Sequence, residues 1–248
     1  MANLNITYLG HSGFLMEWDT CYFLFDYYNG KIPSLDSSKM LVIFVSHSHE
    51  DHFNPAIFKL YNEHPRTTYV MSSDIRLQDR TELKYGITED LYRRITVAYP
   101  NQEYKLTDEG GNSIDISTLK STDRGVAFII RYKGKTVYHS GDLNLWVWKG
   151  EDKQYNNDMR ARFNKEMSKL KGIDIDIAFA PLDPRQEEWY GFGIDALLET
   201  AKVNYVFPMH FWDKPEVILK YLKENESKNI TANIINITEQ GQSWSIEI

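Results

Sequence analysis

The apolar positions of the first forty residues fall into short β-rich runs, Asn3 to Tyr8, Gly13 to Glu17 and Cys21 to Asp26, separated by Gly, Asp or Thr. That pattern predicts a meander of antiparallel strands. A fourth run, Leu41-Val-Ile-Phe-Val45, carries no polar interruption and predicts a buried strand. Further on, Thr67 to Met71 predicts another strand, and Ile95 to Ala98, Tyr104 to Leu106 and Ser113 to Leu119 predict short strands in a meander. Val126 to Tyr132 and Lys135 to His139 form a hairpin, because Lys133-Gly134 suits a two-residue turn.

Helical signals are fewer. Asn54-Pro55 supplies an N-cap and a first-turn proline for about two turns of helix. Arg76 to Tyr85 predicts a polar helix stopped by Gly86, and within the charged stretch 150–172 the residues Met159, Phe163, Met167 and Leu170 recur at helical spacing. The chain then alternates a strand at Ile175 to Ala180, a helix at 193–202, a strand at 205–209, a helix at 214–225, and strands near 232–237 and 242–247. Strands first, then strands and helices in turn, predict an α+β fold in which two sheets pack face to face with helices outside. With 248 residues and 42% hydrophobic content, one domain over 1–248 is the expected organisation.

Charge narrows the partners. A formal net charge of −7 argues against a partner held through phosphates, so no nucleic acid is expected. No span approaches membrane length, and the opening Met1-Ala-Asn-Leu-Asn-Ile lacks the charged and apolar regions of an export signal. The expectation is a soluble, cytoplasmic protein acting on a small molecule, without a membrane partner. Cys21, the single cysteine, lies in an apolar run and predicts a buried core thiol.

The chemistry concentrates where the buried strand ends. Ser46-His-Ser-His-Glu-Asp-His52 follows Val45 directly and holds three of the seven histidines. In an extended loop His47 and His49 point to one side, so both imidazoles can reach one metal ion, while Asp51 and His52 offer a carboxylate and an imidazole to a second. Two-ion chemistry needs ligands from other strand ends as well. Asp142, after Ser140-Gly141, and His210, after Tyr205-Val-Phe-Pro-Met209, are the candidates.

These residues, His47-x-His49-x-Asp51-His52, Gly141-Asp142 and His210, resemble the successive metal motifs of the metallo-β-lactamase fold superfamily. Leu9-Gly-His-Ser-Gly-Phe14 and Tyr138-His-Ser-Gly-Asp142 resemble its lactonase-like branch, the relatives of ascorbate-6-phosphate lactonase. The resemblance spans nearly the whole chain and implies an αββα sandwich of two mixed sheets, with a metal site at one edge that usually holds two zinc ions. It implies that His47 and His49 bind the first ion, that Asp51, His52 and His210 serve the second, and that Asp142 bridges them. It also implies a third histidine on the first ion, which this chain lacks between His64 and His139. The corresponding segment, Leu119-Lys-Ser-Thr-Asp-Arg-Gly125, offers Asp123 or the hydroxyls of Ser121 and Thr122 instead, a change of donor that suits manganese or iron and weakens the first site.

The expected activity is hydrolysis of a small, anionic lactone, phosphoester or related ester by a metal-generated hydroxide, with Asp51 orienting the water. His11 and Asp26 are candidates to stand behind the ligands and orient them. His139 supports its strand or contacts the site, Trp146 walls a pocket, and Arg185 grips an anionic group or pairs with a neighbouring acid. The competing expectations are a non-catalytic binder of metal or ligand and, less favoured by the charge, a nuclease of the same superfamily.

Overall fold

A computed structural model describes residues 3–77, 79–228 and 230–248. The N-terminal meander forms as expected: β1 (Asn3–Gly10), β2 (Gly13–Glu17) and β3 (Cys21–Phe25) are antiparallel neighbours. β4 (Met40–Val45), β5 (Thr67–Ser72) and β6 (Ile95–Ala98) continue that sheet in parallel. Ile95–Ala98 therefore closes the first sheet beside β5 and takes no part in the meander predicted for it. The meander belongs to the second sheet, through β7 (Glu103–Thr107), β8 (Ser113–Lys120), β9 (Val126–Tyr132) and β10 (Lys135–His139). Lys133 and Gly134 both have positive φ, the conformation a tight hairpin turn demands.

β11 (Asp174–Pro181), β12 (Lys202–Met209) and β13 (Asn233–Ile234) extend the second sheet in parallel from β10. The predicted strand 232–237 shrinks to two residues, and the reason is legible in its neighbour. β12 carries Pro208, which has no N–H to donate, and pairing with β13 stops at Val206. β14 (Ser243–Glu247) crosses back to the first sheet and pairs antiparallel with β1. Among the described residues each sheet has seven strands.

The two sheets share an aromatic core, with Phe44 against Phe128 at 5.4 Å and Phe14 against Phe179 at 4.5 Å between ring centroids. β4 shows why its sequence has no alternation: Val42 and Phe44 face this core, while Leu41, Ile43 and Val45 face a second cluster with Phe58 and Tyr69 on the outer side. A strand covered on both faces needs apolar residues at every position. A 3₁₀ turn at Pro55–Lys59, capped by the Asn54 side chain, leads into α1 (Leu60–Glu63) in place of the two-turn helix expected, and with α2 (Asp79–Tyr85) and α3 (Glu89–Tyr92) it covers that outer side. α2 is shorter than the predicted Arg76–Tyr85, whose position 78 lies outside the described residues.

α4 (Lys153–Met167) buries Met159, Phe163 and Met167, and Leu170 follows in a 3₁₀ turn. α5 (Phe192–Thr200) packs on β11 and β12 and meets α4, and α6 (Glu216–Glu224) buries Val217, Ile218 and Tyr221. The architecture is an αββα sandwich of two mixed sheets. Cys21 is buried and its thiol is pushed up to about 12 by burial. No helix is long and apolar enough to cross a membrane among the described residues.

Candidate metal centre

β3 and β4 run parallel, as do β10, β11 and β12, so the segments that follow all five strands emerge at carboxyl ends. The loops after β3, β4, β8, β10, β11 and β12 and the β1–β2 turn meet at one edge of the sandwich. Two glycines permit the approach. A Cβ on Gly125 would lie 1.9 Å from the Ser46 carbonyl oxygen, and one on Gly141 would lie 2.6 Å from the Ser46 Cβ; both residues have positive φ. The second sheet is thus pressed onto the histidine loop at Ser46, where Val126 N–H donates to the Ser46 carbonyl at 2.9 Å.

Three imidazoles are anchored through Nδ1. His52 Nδ1 donates to Asp26 Oδ2 at 2.7 Å, and His210 Nδ1 donates to Asp183 Oδ2 at 2.9 Å. Ser46 Oγ donates to Asp26 Oδ2 at 2.6 Å, so it can only accept from His47 Nδ1 at 2.9 Å. In the neutral imidazole a proton fixed on Nδ1 leaves Nε2 with the lone pair. All three Nε2 atoms face Asp142: His47 lies 3.5 Å from Oδ2, while His52 and His210 lie 3.2 and 3.4 Å from Oδ1. The two carboxylate oxygens look toward different histidines.

Among the described residues three groups of donors converge. Asp26, His47 and His52 form the hydrogen-bonded support already described; His47, His49 and Asp142 form a first ion-facing group, and His11, Asp51, His52 and His210 form a second. His49 Nδ1 is 3.1 Å from His47 Nε2, and His11 Nε2 is 3.2 Å from Asp51 Oδ2. His11 therefore stands within the second group, not behind it as expected from its turn. Its backbone carbonyl also accepts from His210 N–H at 3.2 Å. The buried atoms His11 Nε2, His52 Nε2 and Asp142 Oδ1 have no hydrogen-bond partner. Three buried imidazole and carboxylate atoms that converge without a hydrogen-bond partner, beside the bonded pair His47 Nε2 and His49 Nδ1, are what a divalent cation requires, so the residues fit such an ion.

Electrostatics follow from this crowding. Burial pushes His47 and His11 down to about 4. Burial also opposes charge on His52, but Asp142 and Asp26 outweigh it and hold its pKa well above the usual histidine value. Asp142 and Asp51 resist the upward pull of burial because histidines surround them, and both are held well below the carboxylate range. Asp183 is held at about 2, burial again being outweighed by His210 and Arg185. His11, Asp26 and His210 all have positive φ, a strained choice for residues with a Cβ and one that clusters here.

The remaining candidates divide. Asp26 is fully buried behind His52 and Ser46, with Oδ1 accepting from Ser46 N–H at 2.7 Å. Asp123 Oδ2 approaches His49 Nδ1 at 3.7 Å from a half-exposed position and is not among the converging donors. Thr122 is committed elsewhere, since its Oγ donates to the Asn144 carbonyl at 2.6 Å, and Ser121 Oγ accepts from Asp123 N–H. His139 is buried and reaches neither ion-facing group. Gly141 N–H donates to its Nδ1 at 3.2 Å, so Nε2 carries the proton and donates to the Ser12 carbonyl, and the ring braces the turn that presents Asp142. Trp146 Nε1 donates to the Asp142 carbonyl at 2.9 Å.

Arg185 pairs with Asp183 at 2.9 Å through Nε and lines the adjoining cleft. Asp183 behind His210 is the residue that reading the sequence missed. Its signal is present, an acid directly after a strand as Asp26 is, but in Asp183-Pro-Arg185 the arginine drew the attention. Asp74 was missed too; its Oδ2 accepts from Ser48 N–H at 3.1 Å and holds the turn between His47 and His49.

Comparison with known proteins agrees with this geometry. The family model described as a beta-lactamase superfamily domain matches residues 5–158. A UPF0173 metal-dependent hydrolase of Opitutus terrae is 26% identical over 224 residues, covering 86% of this chain and 87% of its own. Among solved structures, Igni18, a metallo hydrolase of Ignicoccus hospitalis, aligns with a TM-score of 0.61 at 18% identity over 99% of both chains. The metallo-β-lactamase fold protein YhfI of Bacillus subtilis aligns with a TM-score of 0.54 at 13% identity over 99% of this chain and 100% of its own. At these identities the structural likeness concerns the fold.

Proposed function

This chain belongs to the beta-lactamase superfamily domain family, and from that premise we propose that it is a metal-dependent hydrolase of a small ester-like substrate, a lactone or phosphoester. The observation that carries the reading is the trio His47, His52 and His210, each fixed through Nδ1 and each aiming Nε2 at Asp142. His47, His49 and Asp142 would hold one ion and His11, Asp51, His52 and His210 the other, with Asp142 shared. A donor set of imidazole and carboxylate without thiolate suits zinc first and admits manganese or iron. Bound there, divalent cations polarise the scissile oxygen and lower the pKa of water.

The chain's own groups supply the rest. Asp51, held well below the carboxylate range and only partly buried, stays ionised at neutral pH, which suits Oδ2 to accept a hydrogen bond from an attacking water and orient it, and makes the group a weak base and unsuited to act as a general acid. Asp26 and Asp183 hold a proton on Nδ1 of His52 and His210, so Nε2 is the atom each ring would turn to an ion; on His52, whose pKa Asp142 and Asp26 raise, Nε2 would give up its proton on binding. Trp146 ties the backbone of Asp142 in place.

The test is metal analysis of protein purified without chelators, paired with initial rates on panels of lactones and phosphoesters. One or two equivalents of metal, with hydrolysis abolished in Asp142→Ala and reduced about 10²- to 10⁴-fold in Asp51→Asn, support the reading. A folded protein free of metal and inert on both panels would instead make it a ligand-binding member of its family.

A further inference from the structure

Beside the metal centre lies a cleft of about 560 Å³, within the range that encloses a small organic ligand. Asp51, Asp142 and His210 form its inner end. One wall is a single stripe of α4, Tyr155, Met159 and Arg162, spaced four and three residues apart so that they share a face. Trp146, nearly buried, and Trp148, half-buried, line the cleft too, their rings stacked at 5.9 Å with an interplanar angle of 4°. The cleft thus offers flat apolar surface together with two guanidinium groups, Arg162 and Arg185.

The two arginines are placed differently. Arg185 is held by Asp183 through both Nε and Nη2, which leaves Nη1 and the second Nη2 proton for a ligand, and its guanidinium lies 4.9 Å from the Trp212 ring and 5.9 Å from that of Trp148. Its position is set before any ligand arrives, which lowers the entropy lost on binding. Arg162 reaches only the Thr122 carbonyl, at 3.4 Å through Nη1. Among the described residues it has no carboxylate within 4.0 Å, although three aspartates line the same cleft. A solvated arginine that merely balanced those acids would be expected to pair with one of them. Its remaining donors face no partner of their own.

We propose that this cleft binds its substrate through a fixed anionic group, a phosphate or carboxylate remote from the scissile bond, gripped by Arg162 and Arg185 while a ring or acyl body lies along Trp146 and Trp148. The inference rests on the hydrolase reading for the word substrate, and it names the class: a small ester that carries a permanent negative charge. The guanidinium of Arg162 can bind either oxyanion in a bidentate manner, with the outer donors of Arg185 adding to it, so the charge is specified and its source is left to the measurement.

Intrinsic tryptophan fluorescence reads the cleft directly, without turnover. The protein as purified is titrated with phenylphosphonate, phenylacetate and the neutral 2-phenylethanol, and so are Arg162→Gln and Arg185→Gln, with metal content measured for each. Each substitution is expected to weaken the anionic probes about five- to tenfold and to change 2-phenylethanol less than twofold. Tighter phenylphosphonate identifies a phosphate substrate, and tighter phenylacetate a carboxylate. Arg162 is itself exposed at the cleft and makes no contact with a metal-facing side chain among the described residues, so its variant tests the idea even if Arg185→Gln disturbs Asp183 and His210. Anionic probes that bind Arg162→Gln as tightly as the parent, or that fail to bind the parent, overturn the proposal. An inert enzyme with intact anion selectivity would count against the hydrolase reading alone.

Discussion

Asp26 Oδ2 accepts the Nδ1 proton of His52 at 2.7 Å, and neither side chain has any exposure to solvent. The same oxygen accepts from Ser46 Oγ, which in turn holds His47. One carboxylate therefore orients a histidine of each ion-facing group.

Asp26→Asn is expected to loosen both groups at once. The amide presents N–H groups where the parent has only acceptors, so one of these donors must turn away. Loss of such an orienting partner lowers metal affinity about 10- to 100-fold. Competition with a chromogenic chelator measures it, and parental affinity in the variant would show that Asp26 does not orient the ligands.

The two groups should also load unequally. His49 is the more exposed ligand of a three-residue set, while His11, His52 and His210 are buried in a four-residue set. Zinc titration is expected to show a tight and a weaker equivalent. His49→Ala should remove the weaker one, whereas Asp123→Ala should weaken it less than about tenfold, because Asp123 stands 3.7 Å from His49 and outside the set. A single transition for two equivalents in the parent would contradict this.

Gly125 is a test of how the sheets meet. Its φ of +69° and the 1.9 Å approach of a hypothetical Cβ to the Ser46 oxygen leave no room for a side chain. Gly125→Ala should cost about 3 kcal/mol or more and reduce metal content with it. Thermal unfolding and metal analysis check the pair; a stable, fully loaded variant would mean that the loops can part.

At the opposite end of the fold, Asp108 accepts from Tyr132 OH at 2.6 Å, Thr20 Oγ at 2.8 Å and Asn112 N–H at 2.7 Å. Burial opposes its charge, but these donors prevail and hold its pKa well below the ordinary carboxylate value. A depressed folded pKa contributes stability that is fully present above the unfolded value, near 4, and is lost as pH falls through the folded one. Asp108→Asn should therefore cost about 2–3 kcal/mol at pH 7, and the gap should narrow below about pH 4. Urea unfolding at pH 7, 5 and 3.5 follows it; a gap that widens in acid would refute the assignment.

Much of this molecule was legible along the chain. The unbroken apolar run 41–45 reads as a buried strand and Lys133-Gly134 as a tight turn, and both form, because both properties belong to neighbouring residues. The histidine loop announced itself for the same reason, its donors being packed into the six consecutive positions 47–52. What the tertiary structure alone decided was who meets whom. That Ile95–Ala98 joins the first sheet, that β14 returns to β1, that His11 enters the second donor group and that Asp183 stands behind His210 are all contacts between distant segments. Periodicity reports which face of a strand is buried, and it carries no record of which strand lies alongside or which loops share an edge. Those choices are made by packing two sheets together, where Gly125 and Gly141 let the backbone close on Ser46 and so bring the scattered acids to the histidines.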